Sequence, residues 1–193
     1  MSKIFFTADL HFNHANIIRY SNRPFLRKSD LDNNGEWISD KVKFKRCKEM
    51  NRELIRRWNN VVSKDDVVYH VGDFAFGSNY KKFISKLNGN IVFFKGNHDN
   101  QLETCLKSAF LEFGGKVIFV RHEPPIQFQE MTLEQRIIEN CDFMICGHVH
   151  DRWKYKVIYG KPIINVGVDV WNLKPVTSLE ILKLYYKIVK NID

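Results

Sequence analysis

The chain is poor in the features that would fix its class at a glance. It has four cysteines in 193 residues, Cys47, Cys105, Cys141 and Cys146, and none form a CxxC pair. A chain of this length needs no disulfides, so reduced thiols and a cytoplasmic location are expected. No apolar run approaches the length of a membrane span, so no membrane association is expected. The opening Met1-Ser2-Lys3-Ile4-Phe5-Phe6 enters its first polar motif too quickly to be a secretory leader. There is no internal repeat and no low-complexity linker, so the expected organisation is one domain over 1–193, large enough to bury a core. Basic residues are not massed in one block. The 30 Lys and Arg against 22 Asp and Glu give a net charge of +8. That excess fits an anionic substrate or nucleic-acid contact, and equally a lysine-rich solubilising surface.

Histidine is where the sequence is informative. Five of its seven histidines lie in four short motifs that each end a hydrophobic run. They are Asp9-Leu10-His11, Gly96-Asn97-His98-Asp99, Arg121-His122 and Gly147-His148-Val149-His150, and Gly72-Asp73 adds a carboxylate. Neutral imidazole and carboxylate bind borderline and hard divalent cations. The set is too large for one ion and suits two that share a ligand, which makes a two-metal hydrolase the leading expectation.

The runs before these motifs read as short strands buried on both faces: Ile4–Ala8, Asp66–Val71, Asn90–Lys95, Lys116–Val120 and Asp142–Cys146, with Pro162–Val168 as a further strand. Helical spacing is expected over Met50–Asn59, Tyr80–Leu87, Gln101–Phe110 and Leu133–Glu139. Ser178–Lys190 reads as a closing helix or strand. The alternation predicts an α/β layered fold with its ligands at strand C-terminal ends. Arg27–Lys48 is polar and only weakly periodic, and is either a solvated loop with a short helix or a flap beside the site.

In their order, D-x-H, G-D, G-N-H-D, H and G-H-x-H, these motifs resemble the calcineurin-like metallophosphoesterases over nearly the whole chain. The likeness is strongest to small bacterial and phage phosphoesterases. Asp9-Leu10-His11-Phe12-Asn13-His14-Ala15-Asn16-Ile17-Ile18 and Arg23-Pro24-Phe25 are similar to their openings, as are Val68–Phe74 and Asn165–Asp169 to later segments. The resemblance implies an α-β-β-α arrangement, a β-sandwich flanked by helices. It implies one metal on Asp9, His11 and His150, a second on Asn97, His122 and His148, and Asp73 between them. Manganese is the ion it favours; Fe, Zn, Ni and Co suit the same donors. A hydroxide shared by the metals would attack phosphorus, and His98 would assist the leaving oxygen. Asp99 would orient His98 and raise its pKa.

Other residues carry two readings each. His14 and Asn16 meet a substrate phosphate or serve as surface His and helix cap. Arg23 clamps a phosphate or lies on the surface. His70 is expected as a buried strand histidine, and Asn165 as a support for the Gly147–His150 loop. Cys146 is expected to fill a buried strand end, and Lys154 and Lys156 to point outward. The Arg27–Lys48 segment is longer than in similar proteins, and Arg121 stands where a small residue is common, pointing away from the metals. The expected substrate is a small phosphate ester or nucleotide diester. The alternatives are a nuclease acting on DNA or RNA, a non-catalytic scaffold of the same fold, and a metal store or sensor.

Overall fold

A computed structural model describes residues 2–102, 104–125 and 138–191. Its strands are β1 Ile4–Thr7, β2 Val67–Val71, β3 Asn90–Phe94, β4 Ser108–Phe113, β5 Lys116–Arg121, β6 Phe143–Cys146, β7 Tyr155–Ile158, β8 Lys161–Asn165 and β9 Val176–Thr177. The helices are α1 Ile17–Tyr20, α2 Asp40–Val61, α3 Lys81–Ile84 and α4 Ser178–Val189.

The strands form two mixed sheets. One has the order β3-β2-β1-β9, with β1, β2 and β3 parallel and β9 antiparallel to β1. The other has the order β4-β5-β6-β8-β7, with β5, β6 and β8 parallel and the outer strands antiparallel. Strands of β-branched and aromatic residues with no polar face must be covered on both sides. Phe6, Ala8, Val71 and Phe94 therefore meet Ile118, Val120, Phe143, Ile145 and Ile164 in a core between the sheets. α4 joins that core through Ile181, Tyr185 and Ile188, with Tyr185 stacked on Phe143 at 4.8 Å. Thr177 caps α4 in a reciprocal box with Glu180, which resolves Ser178–Lys190 as a helix.

The outer face of the first sheet packs against α2. Cys47, Met50, Leu54 and Trp58 recur at helical spacing and are buried with Phe5 and Val68. This helix is longer than the expected Met50–Asn59 because Ser39 caps it, accepting from the Val42 N–H. The segment Arg27–Lys48 therefore divides. Its second part is the start of α2, and its first part is pinned by a buried Arg46–Asp30 pair at 2.7 Å and by Arg19–Glu36 at 2.7 Å.

The described residues of Gln101–Phe110 form no helix, which corrects the expected one. Leu102, Leu106 and Phe110 mimic a helical stripe, but the stronger signal is period two in β4. Ala109, Leu111 and Phe113 turn toward the inter-sheet core while Ser108, Phe110 and Glu112 face out, and β4 pairs with β5 along its length. β8 ends at Asn165, and Val168 opens a 3₁₀ turn rather than ending the strand. Leu133–Glu139 lies almost wholly outside the described residues. No helix among the described residues is long and apolar enough to cross a membrane.

His70 sits in β2, fully buried among aromatic rings, 5.1 Å from Phe74 and 5.7 Å from Phe93, with neither ring nitrogen hydrogen-bonded. Burial, reinforced by His122, lowers its pKa to about 3. The unfolded chain therefore binds a proton that the native state refuses. This part of the stability is complete above the ordinary histidine pKa and falls away as pH drops toward 3. His70→Phe is expected to reduce the stability lost between pH 8 and pH 5 by about 2 kcal/mol, read by urea unfolding of chelated protein at both pH values. Parallel losses in the two proteins would contradict it.

Candidate metal centre

Every motif follows the C-terminal end of a parallel strand: Asp9 and His11 after β1, Asp73 after β2, Asn97 after β3, His122 after β5, and His148 and His150 after β6. The sheets are joined here, since the Ala8 N–H donates to the Val166 carbonyl and the Val168 N–H to the Ala8 carbonyl. The loops are stitched by Asp9 N–H to Gly72 O and His11 N–H to Asp73 O, each 3.0 Å. Asp9, His11, Asp73, His148 and His150 all hold positive φ, from 49° to 71°. Left-handed backbone is unfavourable for such residues and persists where the surroundings over-determine it. Its effect here is to turn successive side chains toward one point. Gly72, at φ 88°, has no alternative, because a β-carbon there would overlap the His122 ring.

The side chains converge closely. Asp9, His11 and His150 bring ligand atoms within 4.8 Å of one another, and so do Asp9, Asp73 and His122. Asp73 Oδ2 lies 3.5 Å from His11 Nε2 and 3.4 Å from His122 Nε2. Asn97 Oδ1 is 3.1 Å from both His122 Nε2 and His148 Nδ1. The seven residues expected to hold metal are thus brought together, with both carboxylates central. Asp9 is fully buried, and burial raises its pKa to about 6 despite His122 and His150. Burial also pushes Asp73 upward, but its bond to His122 and the charges of His122 and His11 outweigh that and hold it below the usual carboxylate range. Burial pulls His122 down, yet Asp73 and Asp9 lift it to about 9.

A metal fits these donors on structural grounds. Both nitrogens of His11 are buried without a hydrogen-bond partner, which is costly unless something else meets them. His122 Nδ1 is 2.8 Å from the Val71 carbonyl, and His150 Nδ1 is 3.0 Å from Asp169 Oδ2. Each of these bonds orients its ring so that Nε2 is the ligand atom, and His122 Nε2 faces the Asn97 and Asp73 oxygens that would share its cation.

Three expectations are revised by what the side chains touch. Arg23 is not a substrate clamp. Its side chain is 0% exposed, pairs with Asp169 at 2.7 Å, and donates to the Asp9 and Leu10 carbonyls at 2.6 and 3.0 Å. Asn16 faces Trp37, accepting from its indole at 3.1 Å. Asp99 does not orient His98. Its oxygens accept from the Asp73, Phe74 and Gly96 N–H groups at 2.6, 2.9 and 2.9 Å. Burial raises the Asp99 pKa, and those backbone bonds oppose the rise. His98 is exposed at the mouth, with its ring 5.6 Å from His11 and its N–H donating to Asp73 Oδ1 at 2.9 Å. His14 does belong to the site. Its ring stacks on Phe76 at 4.0 Å and lies 5.3 Å from His11.

Asp169 is a residue the sequence reading left without a role; its place at the end of Asn165–Asp169 was its only signal. Asn165 behaves as expected, donating to the His150 and Trp153 carbonyls at 2.8 Å each. Arg121 Nε turns to the Glu123 carbonyl at 2.9 Å, and Cys146 is fully buried at its strand end. Lys154 is exposed as expected, but lies 3.6 Å over the Trp171 ring.

The model of the calcineurin-like phosphoesterase superfamily domain matches residues 46–181. The chain belongs to this superfamily. An uncharacterised protein of Methanocaldococcus jannaschii is 38% identical over 97% of this chain and 93% of its own length. The gene 66 protein of Mycobacterium phage L5 is 30% identical over 89% of this chain and 88% of its own. Among solved structures, a protein of unknown function from Aquifex aeolicus has a TM-score of 0.66 at 25% identity, covering 95% of this chain and all of that one. The phosphoesterase fold accounts for the two mixed sheets and for the gathering of Asp and His at one edge.

Two outcomes follow from the hydrogen bonds. Arg23→Ala strands Asp169 in the interior and is expected to cost about 3–5 kcal/mol, measured by denaturant unfolding. A higher KM with unchanged stability would restore Arg23 to a substrate role. Asp99→Asn places an amide against three N–H donors, so it should cost about 1–3 kcal/mol and weaken metal uptake. A shift in the pH profile of turnover alone would instead mark a partner of His98.

Proposed function

We propose that the protein is a binuclear metal-dependent phosphoesterase that hydrolyses a phosphodiester or phosphomonoester. The observation that carries this reading is the juxtaposition of two buried carboxylates and four histidines with an exposed, separate imidazole, His98, at the mouth. A storage or sensing site would have no use for that last group. Asp9, His11 and His150 would hold one ion, Asn97, His122 and His148 the other, and Asp73 would lie between them. Imidazole, carboxylate and amide oxygen suit Mn, Fe, Zn, Ni or Co alike, and manganese is the one the family resemblance favours. Two divalent ions so bound supply Lewis acidity toward the phosphoryl oxygens and acidify water.

The chain's own groups do the rest. Nδ1 of His122 and of His150 stays bonded to Val71 and Asp169, so both rings keep the orientation that presents Nε2. His98 is tethered through its backbone to Asp73, and its ring is free to protonate the departing oxygen. His14, beside it, has its pKa lowered by burial to about 4. At neutral pH it therefore offers a phosphate oxygen a hydrogen bond rather than a charge.

The first test is manganese-reconstituted protein given bis-(p-nitrophenyl) phosphate beside p-nitrophenyl phosphate, with metal content determined on the same sample. Diester cleavage with two metals per chain is expected, and a protein that takes up no metal would sink the reading. His98→Ala should retain both metals and lose roughly 10²–10⁴-fold in turnover, most on esters with poor leaving groups. Loss of metal in that variant would move His98 into the ligand set.

A further inference from the structure

Basic residues from two separate segments of the chain are gathered in space beside the site. Lys41, Lys45, Lys48 and Arg52 follow one another at intervals of four, three and four, so they share one face of α2. Across a groove of about 690 Å³, Lys82 and Lys86 face them from α3 and the turn after it. All six are exposed. One acidic residue lines this groove, Glu49, and it is already paired with Arg46 at 2.8 Å. Phe44 stands in the wall, 62% exposed, with the Lys48 ammonium 4.5 Å from its ring.

The groove leads to the metal centre. Asn13 is in its lining, and an adjoining hollow shares Asn13, Lys41, Phe44 and Asn79 with it and reaches His14. Asn13 is fixed to α2 by a reciprocal amide pair with Asn51, 3.0 and 3.1 Å, so the groove and the ligand loop keep a set relation. Beside Asn97 and His122, Lys95, Lys107 and Arg121 line a second cleft, with Glu123 as its one acidic residue. Positive charge therefore lines two clefts beside the ligand cluster.

A small diester would leave this surface unused. From these placements we infer that the substrate is a single-stranded polynucleotide, laid along the α2 groove and across the ligand cluster. This rests on the phosphoesterase reading and narrows it. The stretch from Lys41 to Arg52 spans about 16 Å of helix, the length of roughly five stacked nucleotides. The cations track the phosphates, and Phe44 offers a face on which a base stacks, the combination that binds single strands without reading sequence.

The test is fluorescence anisotropy of a labelled twelve-nucleotide single strand with the full chain, in chelator, from 50 to 200 mM salt. Lys45→Ala/Lys48→Ala/Lys82→Ala is expected to raise Kd about tenfold or more and to flatten the salt slope by about 2. Lys183→Ala/Lys187→Ala/Lys190→Ala, exposed on and just after α4, removes the same charge and should stay within about twofold. Phe44→Ala should weaken binding by about tenfold. Equal losses in the two triple variants, or none in either, would overturn the groove. A groove-specific loss with Phe44→Ala unchanged would overturn the polynucleotide, leaving a site for polyanions of any kind. Thermal melts check that each variant is folded. Small-diester turnover by the unaltered protein is measured separately, so failure of the catalytic reading is distinguishable from failure of this one.

Discussion

The guanidinium of Arg23 joins the first and last loops of the site, and the rest of the centre depends on that join. It donates to the carbonyls of Asp9 and Leu10 and pairs with Asp169, whose other oxygen is bonded to His150. One planar fork thus sets the backbone of the first ligand loop and, through Asp169, the ring of the last histidine. A lysine offers one point of attachment where three directions are needed. The interior accepts this charge because its donors are bonded and its anion is adjacent, whereas an unpaired guanidinium there would cost several kcal/mol.

A second join acts across the first sheet. Asp99 accepts from backbone N–H groups on both the Gly72–Phe74 and the Gly96 loops, which are separate in sequence and side by side in space. Between them, Arg23 and Asp99 hold left-handed residues that would otherwise relax. The ligand cluster is consequently unfavourable as protein alone: carboxylates are buried, the His11 ring nitrogens have no hydrogen-bond partner, and the backbone is strained. Natural chains keep such arrangements where function requires them. A bound cation would relieve the charge and meet those donors together.

The surroundings divide the work between flanks. α2 supplies core through Cys47, Met50, Leu54 and Trp58 on one face and cations on another. A helix with both jobs reads as weakly periodic, because basic residues interrupt the apolar stripe. This is why its first turns merged with the polar segment before it when read as sequence. β4 was obscured for the opposite reason, since Leu102, Leu106 and Phe110 imitate helical spacing while alternation in Ala109–Phe113 decides the outcome.

The sequence by itself determined the strands that carry the motifs, the superfamily and the identity of the converging side chains. These are local matters: short apolar runs bounded by Gly and polar residues read as buried strands, and Asp, Asn and His recurring at their ends in one order point to a shared site. Tertiary structure decided what the neighbouring polar groups do. Arg23, Asn16 and Asp99 have side chains suited equally to a substrate or to the protein, and a hydrogen bond is made with whichever partner the fold brings within 3 Å. Asp169 and the basic groove depend on contacts across long stretches of chain. Only packing of α2 against the first sheet, and closure of the β8 loop over Arg23, brings those groups together.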